Sequence, residues 1–247
     1  MEKKRFALLL CAEDSEYVKK RYGGYFSVFV ELLGEEGEVW DVYGVCQGEF
    51  PADNQLPFYD GFVITGSCSD ADGNDAWILS LVALLQTLDS MRKKILGICF
   101  GHQILGRALG GKTGRAINGW DIGLTAINVS SNSCELMAAL KIVSPLRVIQ
   151  CHRDEVLELP ARAEVIAWSE KTGVEMFRCG EHIMGIQGHP EYNKDILLHL
   201  LDRLRQRDLI QASLHQHVEA AKASVDAHEP DGEAWKSLCR GFLKGAL

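Results

Sequence analysis

The sequence predicts an α/β fold: a mixed, mostly parallel sheet flanked by helices, with an antiparallel extension. Three observations point there. Up to residue 109, short β-branched or leucine-rich runs alternate with longer amphipathic segments, the pattern of βαβ units. Beyond residue 123 the apolar runs shorten and crowd together, as hairpin-linked strands do. After Pro190 the apolar positions return to helical spacing.

Taken in order, the apolar run 5–11 reads as a buried first strand, 25–33 as a helix, 39–45 and 61–65 as strands, and 75–88 as a helix. A strand at 94–98 runs into a helix at 102–109. The crowded strands are 124–129, 147–151, 165–168, 174–177 and 183–187, with Glu-Lys-Thr-Gly at 170–173 and Cys-Gly-Glu-His at 179–182 as hairpin turns. Helical positions follow at Ile196, Leu197, Leu200, Leu201 and Leu204, then a second run to about Ala227. A last short helix is placed after Pro230–Gly232. No linker divides the chain, so 1–247 reads as one domain whose helical tail, from about residue 193, covers one sheet face.

Composition narrows the function. A content of 47% hydrophobic and 24% charged residues is that of a globular protein, not a disordered or fibrous one. With 34 acidic against 26 basic residues the net charge is −8, so neither a nucleic acid nor an anionic membrane is an expected partner. No apolar run reaches the roughly 18 to 20 residues of a membrane span. The run at 6–12 follows Lys3, Lys4 and Arg5, but Glu13, Asp14 and Glu16 come at once, which points to a strand of a cytoplasmic protein and not to a leader. The 8 cysteines are scattered without CxxC pairs or Cys/His ligand spacing, so neither disulfides nor a metal are expected.

One cysteine stands apart. Cys99 lies between Gly97 and Gly101, where the strand at 94–98 passes directly into a helix. A nucleophile on such a sharp turn needs small residues two positions to either side, and the helix start beneath it supplies free N–H groups and a dipole that favours thiolate. Gly-rich strand-to-helix turns also serve phosphate binding and tight packing, so a second element is required. Ile186–Gln187–Gly188–His189–Pro190–Glu191 supplies it, because Pro190 keeps His189 extended and residues two apart then face the same way. His189 and Glu191 can thus pair as base and orienting carboxylate for a cysteine nucleophile. Attack on a carbonyl also needs an oxyanion acceptor, for which the backbone N–H of Phe100 and the loop starting at Gly66 are candidates. His102, directly after the elbow, is a candidate second base but at the start of a helix reads rather as a capping or packing residue; Trp77 and Trp120 read as surface packing, with a border on the leaving-group side as the alternative.

GICFGHQ at 97–103, ITGS at 64–67 and QGHPE at 187–191, in this order and spacing, resemble class I glutamine amidotransferase domains. Within them, YGGY at 22–25, GEFP at 48–51, YDGFVITGS at 59–67, CHRDEV at 151–156, QGHPEYNKDIL at 187–197 and FLKG at 242–245 look most like the plant γ-glutamyl peptidases. The resemblance implies a flavodoxin-like single-domain fold. It implies Cys99 as nucleophile, His189 as base, Glu191 as orienting acid, Gly66 and Phe100 as oxyanion donors, and Gln103 and Asp154 beside the glutamyl group. It further implies a cytosolic hydrolase without cofactor or obligatory protein partner. Such an enzyme acts on the γ-glutamyl bond of glutathione and its S-conjugates, in glutathione turnover and in making sulfur-containing defence metabolites of the glucosinolate type. Many amidotransferase domains carry Gly-Gly-Pro where this chain has Gly66–Ser67–Cys68, so the resemblance leaves the details of the oxyanion hole open.

Three alternatives compete with this reading. A glutaminase subunit would pass ammonia to a separate synthetase; no P-loop or ATP-pyrophosphatase motif is present in the sequence itself. A binding protein without turnover would not need Cys99, His189 and Glu191 together. The chaperone-like and deglycase-like proteins with a cysteine elbow would not carry His-Pro-Glu so far downstream.

Overall fold

The computed structural model describes residues 3–130, 144–206 and 215–246. Its first half contains β1 (Arg5–Leu9), α1 (Glu16–Tyr22), α2 (Tyr25–Leu33), β2 (Val39–Tyr43), β3 (Gly61–Ile64), α3 (Ala76–Ser90), β4 (Lys94–Ile98) and α4 (Phe100–Ala108). The second half adds β5 (Lys112–Arg115), β6 (Asp121–Val129), β7 (Leu146–His152), β8 (Asp154–Glu158), β9 (Ala163–Trp168), β10 (Met176–Cys179) and β11 (Ile183–Ile186). Helices α5 (Lys194–Gln206), α6 (His215–Ala227) and α7 (Gly232–Leu243) follow.

Nine strands form one sheet in the order β2-β1-β3-β4-β11-β10-β9-β6-β7. The strands from β2 to β11 run parallel, and from β10 onward each neighbour is antiparallel, as the change of spacing after residue 123 predicts. The interior strands β1, β3, β4 and β11 are apolar along nearly their whole length because both faces are covered, whereas the edge strand β2 carries Asp41 and leaves Val39 and Val42 exposed. Phe6, Leu8, Leu96 and Ile98 point to the side of α2 and α7, while Ala7, Leu9, Ile64 and Ile95 point to α3 and α4.

The structure departs from the sequence expectations in four places. Helix α1, not predicted, is only seven residues long; Ser15 caps its start by accepting from Val18 N–H, and Gly23 ends it at φ 78°. A second, two-stranded sheet pairs β5 with β8, segments too short and too charged to read as strands by alternation. The strand expected at 174–177 lies at Met176–Cys179, because the Glu175 N–H bonds to Ala167 O across a break in register. The tail does not cover a single face: α7 packs with α2, whereas α5 and α6 pack on Ile149, Ile122 and Leu124, on the opposite side of β6 and β7 from Val148 and Ile127. Cys134, one of the eight cysteines, lies outside the described residues; the other seven are free thiols. No helix among the described residues is long and apolar enough to cross a membrane.

Strand order decides where chemistry can occur. Ile64 on β3 sits opposite Gly97 on β4, so the loop after β3 and the turn after β4 open side by side at the carboxyl edge of the sheet. On the other flank Ile186 of β11 sits opposite Ile98, and Cys99 N–H bonds to Ile186 O at 2.8 Å. The segment after β11 therefore reaches the same edge. There the His189 N–H is pinned to Ile149 O of β7 at 2.8 Å.

Candidate active site

Cys99 occupies φ 54°, ψ −104°, a conformation unfavourable for any residue with a Cβ, and α4 starts at the next residue. The turn is held from both sides by close packing. A Cβ on Gly101 would strike the Ile64 carbonyl and lie 3.0 Å from Ile64 Cβ; one on Gly97 would strike the Gly101 backbone and lie 2.6 Å from Leu105 Cδ1. Because these obstacles are mostly backbone, Gly101→Ala is expected to lower stability by about 3 kcal/mol. A denaturant midpoint within error of wild type would disprove the close fit.

His189 stands against this turn. Its Nδ1 lies 2.8 Å from Glu191 Oε1, the pairing predicted, but the backbone between them is a turn closed by Tyr192 N–H donating to His189 O at 3.2 Å and not the extended segment expected. Cys99, His189 and Glu191 are only 6%, 3% and 8% exposed, so the pair works in a low-dielectric setting. Burial opposes the charge on His189, yet the Glu191 carboxylate, with the Cys99 sulfur as a further contributor, lifts its pKa from 6.5 to about 10. At neutral pH the imidazole is thus protonated. Gly66 brings the loop after β3 within contact of both groups, since a Cβ there would lie 3.0 Å from His189 Cε1 and 3.7 Å from Cys99 Cβ. The Phe100 N–H, first of α4 and next in sequence to Cys99, has no acceptor within the helix.

These groups open on a cavity of about 260 Å³. Gln103 and Asp154 both line it, on the side of α4 and β8. Gln103 Nε2 donates to Asp154 O at 2.7 Å and to Gln187 Oε1 at 3.2 Å, so this side chain braces the wall. The Asp154 carboxylate pairs with Arg115 at 2.6 Å. Burial raises the Asp154 pKa to about 6, with Asp70 reinforcing and Arg115 opposing the shift. Trp120 lines the cavity, whereas Trp77 packs on Phe100 at 5.5 Å between ring centres and does not. His102 is fully buried 4.9 Å from the Phe177 ring, and burial lowers its pKa to about 3, so it is a neutral packing residue. Among the described residues, no group of His, Cys, Asp and Glu is placed to hold a metal ion.

Sequence reasoning missed three parts of the site. Tyr192 stacks flat on His189, with ring centres 4.0 Å apart and planes 2° from parallel. An aromatic residue three positions past the histidine was the available signal. Arg115 was missed because it lies on the unpredicted β5, where it binds Asp70 at 3.2 Å as well as Asp154. The apolar wall formed by Tyr25 and α5 depends on packing between segments about 170 residues apart in sequence, and no local pattern announces it.

A cysteine on a strand-to-helix elbow, beside a His–Glu pair at the carboxyl edge of a mostly parallel sheet, is the arrangement that thiol-dependent acyl transfer requires. Residues 49–196 match the glutamine amidotransferase class-I model, and the chain belongs to that family. It is 51% identical to gamma-glutamyl peptidase 5 of Arabidopsis thaliana, with 99% of this chain and 97% of that protein aligned. To gamma-glutamyl peptidase 3 of the same plant it is 49% identical, over 99% and 98% of the two chains. A solved structure of a glutamine amidotransferase from Thermotoga maritima superposes with a TM-score of 0.74 at 21% identity, covering 99% of this chain and 98% of that one, which shows the fold.

Proposed function

We propose that this protein is a cysteine-dependent γ-glutamyl peptidase that hydrolyses the γ-glutamyl bond of glutathione and of glutathione S-conjugates. The observation that carries the reading is the alignment over nearly the whole chain with the Arabidopsis peptidases, together with the His189–Glu191 pair beside Cys99. In this mechanism the Cys99 sulfur attacks the γ-carbonyl carbon, and the oxygen takes up negative charge facing the Gly66 and Phe100 N–H groups. The tetrahedral adduct collapses, the C–N bond breaks, and His189 gives its proton to the departing nitrogen. A γ-glutamyl thioester remains on Cys99. Water then loses a proton to His189 and attacks the same carbon, the C–S bond breaks, and glutamate leaves. Gln103 and Asp154, on one wall, adjoin the glutamyl head in this arrangement. No metal, nucleotide or partner subunit enters any step, and supply of cysteinyl-glycine compounds to sulfur-containing defence metabolism of the glucosinolate type is the cellular role that fits.

The test is glutamate release by the purified protein alone from glutathione, an S-alkyl glutathione and free glutamine. A kcat/KM on the first two well above that on glutamine supports the proposal. Hydrolysis of glutamine only, or activity only after a partner is added from a cell extract, would instead indicate a glutaminase subunit.

A further inference from the structure

The cavity has two chemically distinct walls, and the chemistry at Cys99 decides which part of a substrate meets each. The carbonyl oxygen must face Gly66 and Phe100, while the nitrogen that leaves must lie within reach of the proton on His189. The leaving group therefore extends past His189, away from Gln103 and Asp154. Past His189 the wall is apolar: Tyr192 stacked on the imidazole, then Tyr25, Leu200, Leu204 and Trp120. Two arginines line the cavity without a carboxylate partner among the described residues, the exposed Arg153 and, within this wall, Arg203. Arg203, half-buried on α5, projects beside Leu200 and Leu204, three positions and one position away on the same helix.

Arg203 makes no hydrogen bond or ion pair with any of the described residues, unlike Arg115 on the opposite wall, which Asp70 and Asp154 both engage. A guanidinium partly withdrawn from water without a counter-ion is an unfavourable arrangement that an anion relieves, and its planar fork suits a carboxylate. We infer that Arg203 anchors a carboxylate carried by the leaving amine, so that the favoured substrates are γ-glutamyl amides whose amine has an apolar body and an acidic end. This rests on the peptidase reading and assigns the specificity of its leaving-group side.

Two substrates with one apolar body separate the outcomes: γ-glutamyl-phenylalanine, which has the carboxylate, and γ-glutamyl-phenethylamide, which lacks it. The wild-type protein is expected to favour the acid in kcat/KM, and Arg203→Gln to reduce the acid-to-amide ratio about ten-fold or more, mainly through KM. Arg203→Lys, which keeps the charge without the fork, should restore part of the ratio. Thermal unfolding checks that each variant folds, and if Arg203→Gln does not, the wild-type ratio and Arg203→Lys still decide. Turnover of both amides with a wild-type ratio near one, or with the same ratio in Arg203→Gln, overturns the role of Arg203 alone. Cleavage of glutamine with neither amide hydrolysed overturns the peptidase reading, and this inference with it.

Discussion

Cys99→Ala is expected to abolish γ-glutamyl hydrolysis, by about 10⁴-fold or more in kcat, while ligand affinity and the fold persist. The magnitude follows from the kind of step lost: without a sulfur no thioester forms, and what remains is the effect of the oxyanion donors on attack by water. A residual rate within about tenfold of wild type would mean that another group is the nucleophile. The same position also tests the strain in the turn. Alanine keeps the Cβ that makes φ 54° unfavourable, whereas glycine does not, so Cys99→Gly should be more stable than Cys99→Ala by about 1 to 2 kcal/mol. Denaturant midpoints of the two inactive variants measure this directly. If they coincide, the elbow holds no strain.

Which parts of this molecule were legible in its sequence depended on the range of the physics involved. The turn at Cys99 was legible because its requirements are local: a buried strand, small residues at 97 and 101, and a helix immediately after. The His189–Glu191 pair was legible for a similar reason, since the proline between them restricts the backbone, although the two side chains meet across a turn closed by Tyr192 N–H and not along an extended run. That these two elements meet is a matter of strand order, with β11 inserted beside β4, and a single sequence carries that only through its resemblance to a known family. Arg115 and Arg203 were not legible at all. Each sits in an ordinary charged segment, and its place at the cavity is set by contacts with β8 in one case and by the docking of α5 in the other. Gln103 was read as a neighbour of the substrate, but its hydrogen bonds to Asp154 O and Gln187 also make it a brace between α4 and the wall.

Glu191→Gln, nearly unchanged in shape, is expected to lower kcat/KM by about 10²- to 10³-fold and to move the alkaline limb of the pH profile toward neutrality. Burial alone would lower the pKa of His189; the Glu191 charge leads the interactions that raise it to about 10. In the proposed mechanism the imidazolium gives its proton to the leaving nitrogen, so wild-type activity should persist to high pH and fall as pH passes through about 10. With glutamine at 191 the burial penalty is no longer opposed by that carboxylate, so the fall comes earlier. Stability follows the same linkage. A folded-state pKa above the ordinary 6.5 means that protonated His189 contributes its full stabilisation below pH 6.5, and that this contribution is lost as pH rises through about 10. Glu191→Gln should flatten that dependence, so the difference in stability between wild type and variant should be largest in acid and shrink toward pH 10. An unmoved alkaline limb together with a parallel loss of stability at every pH would show that Glu191 only packs against the imidazole and does not set its charge.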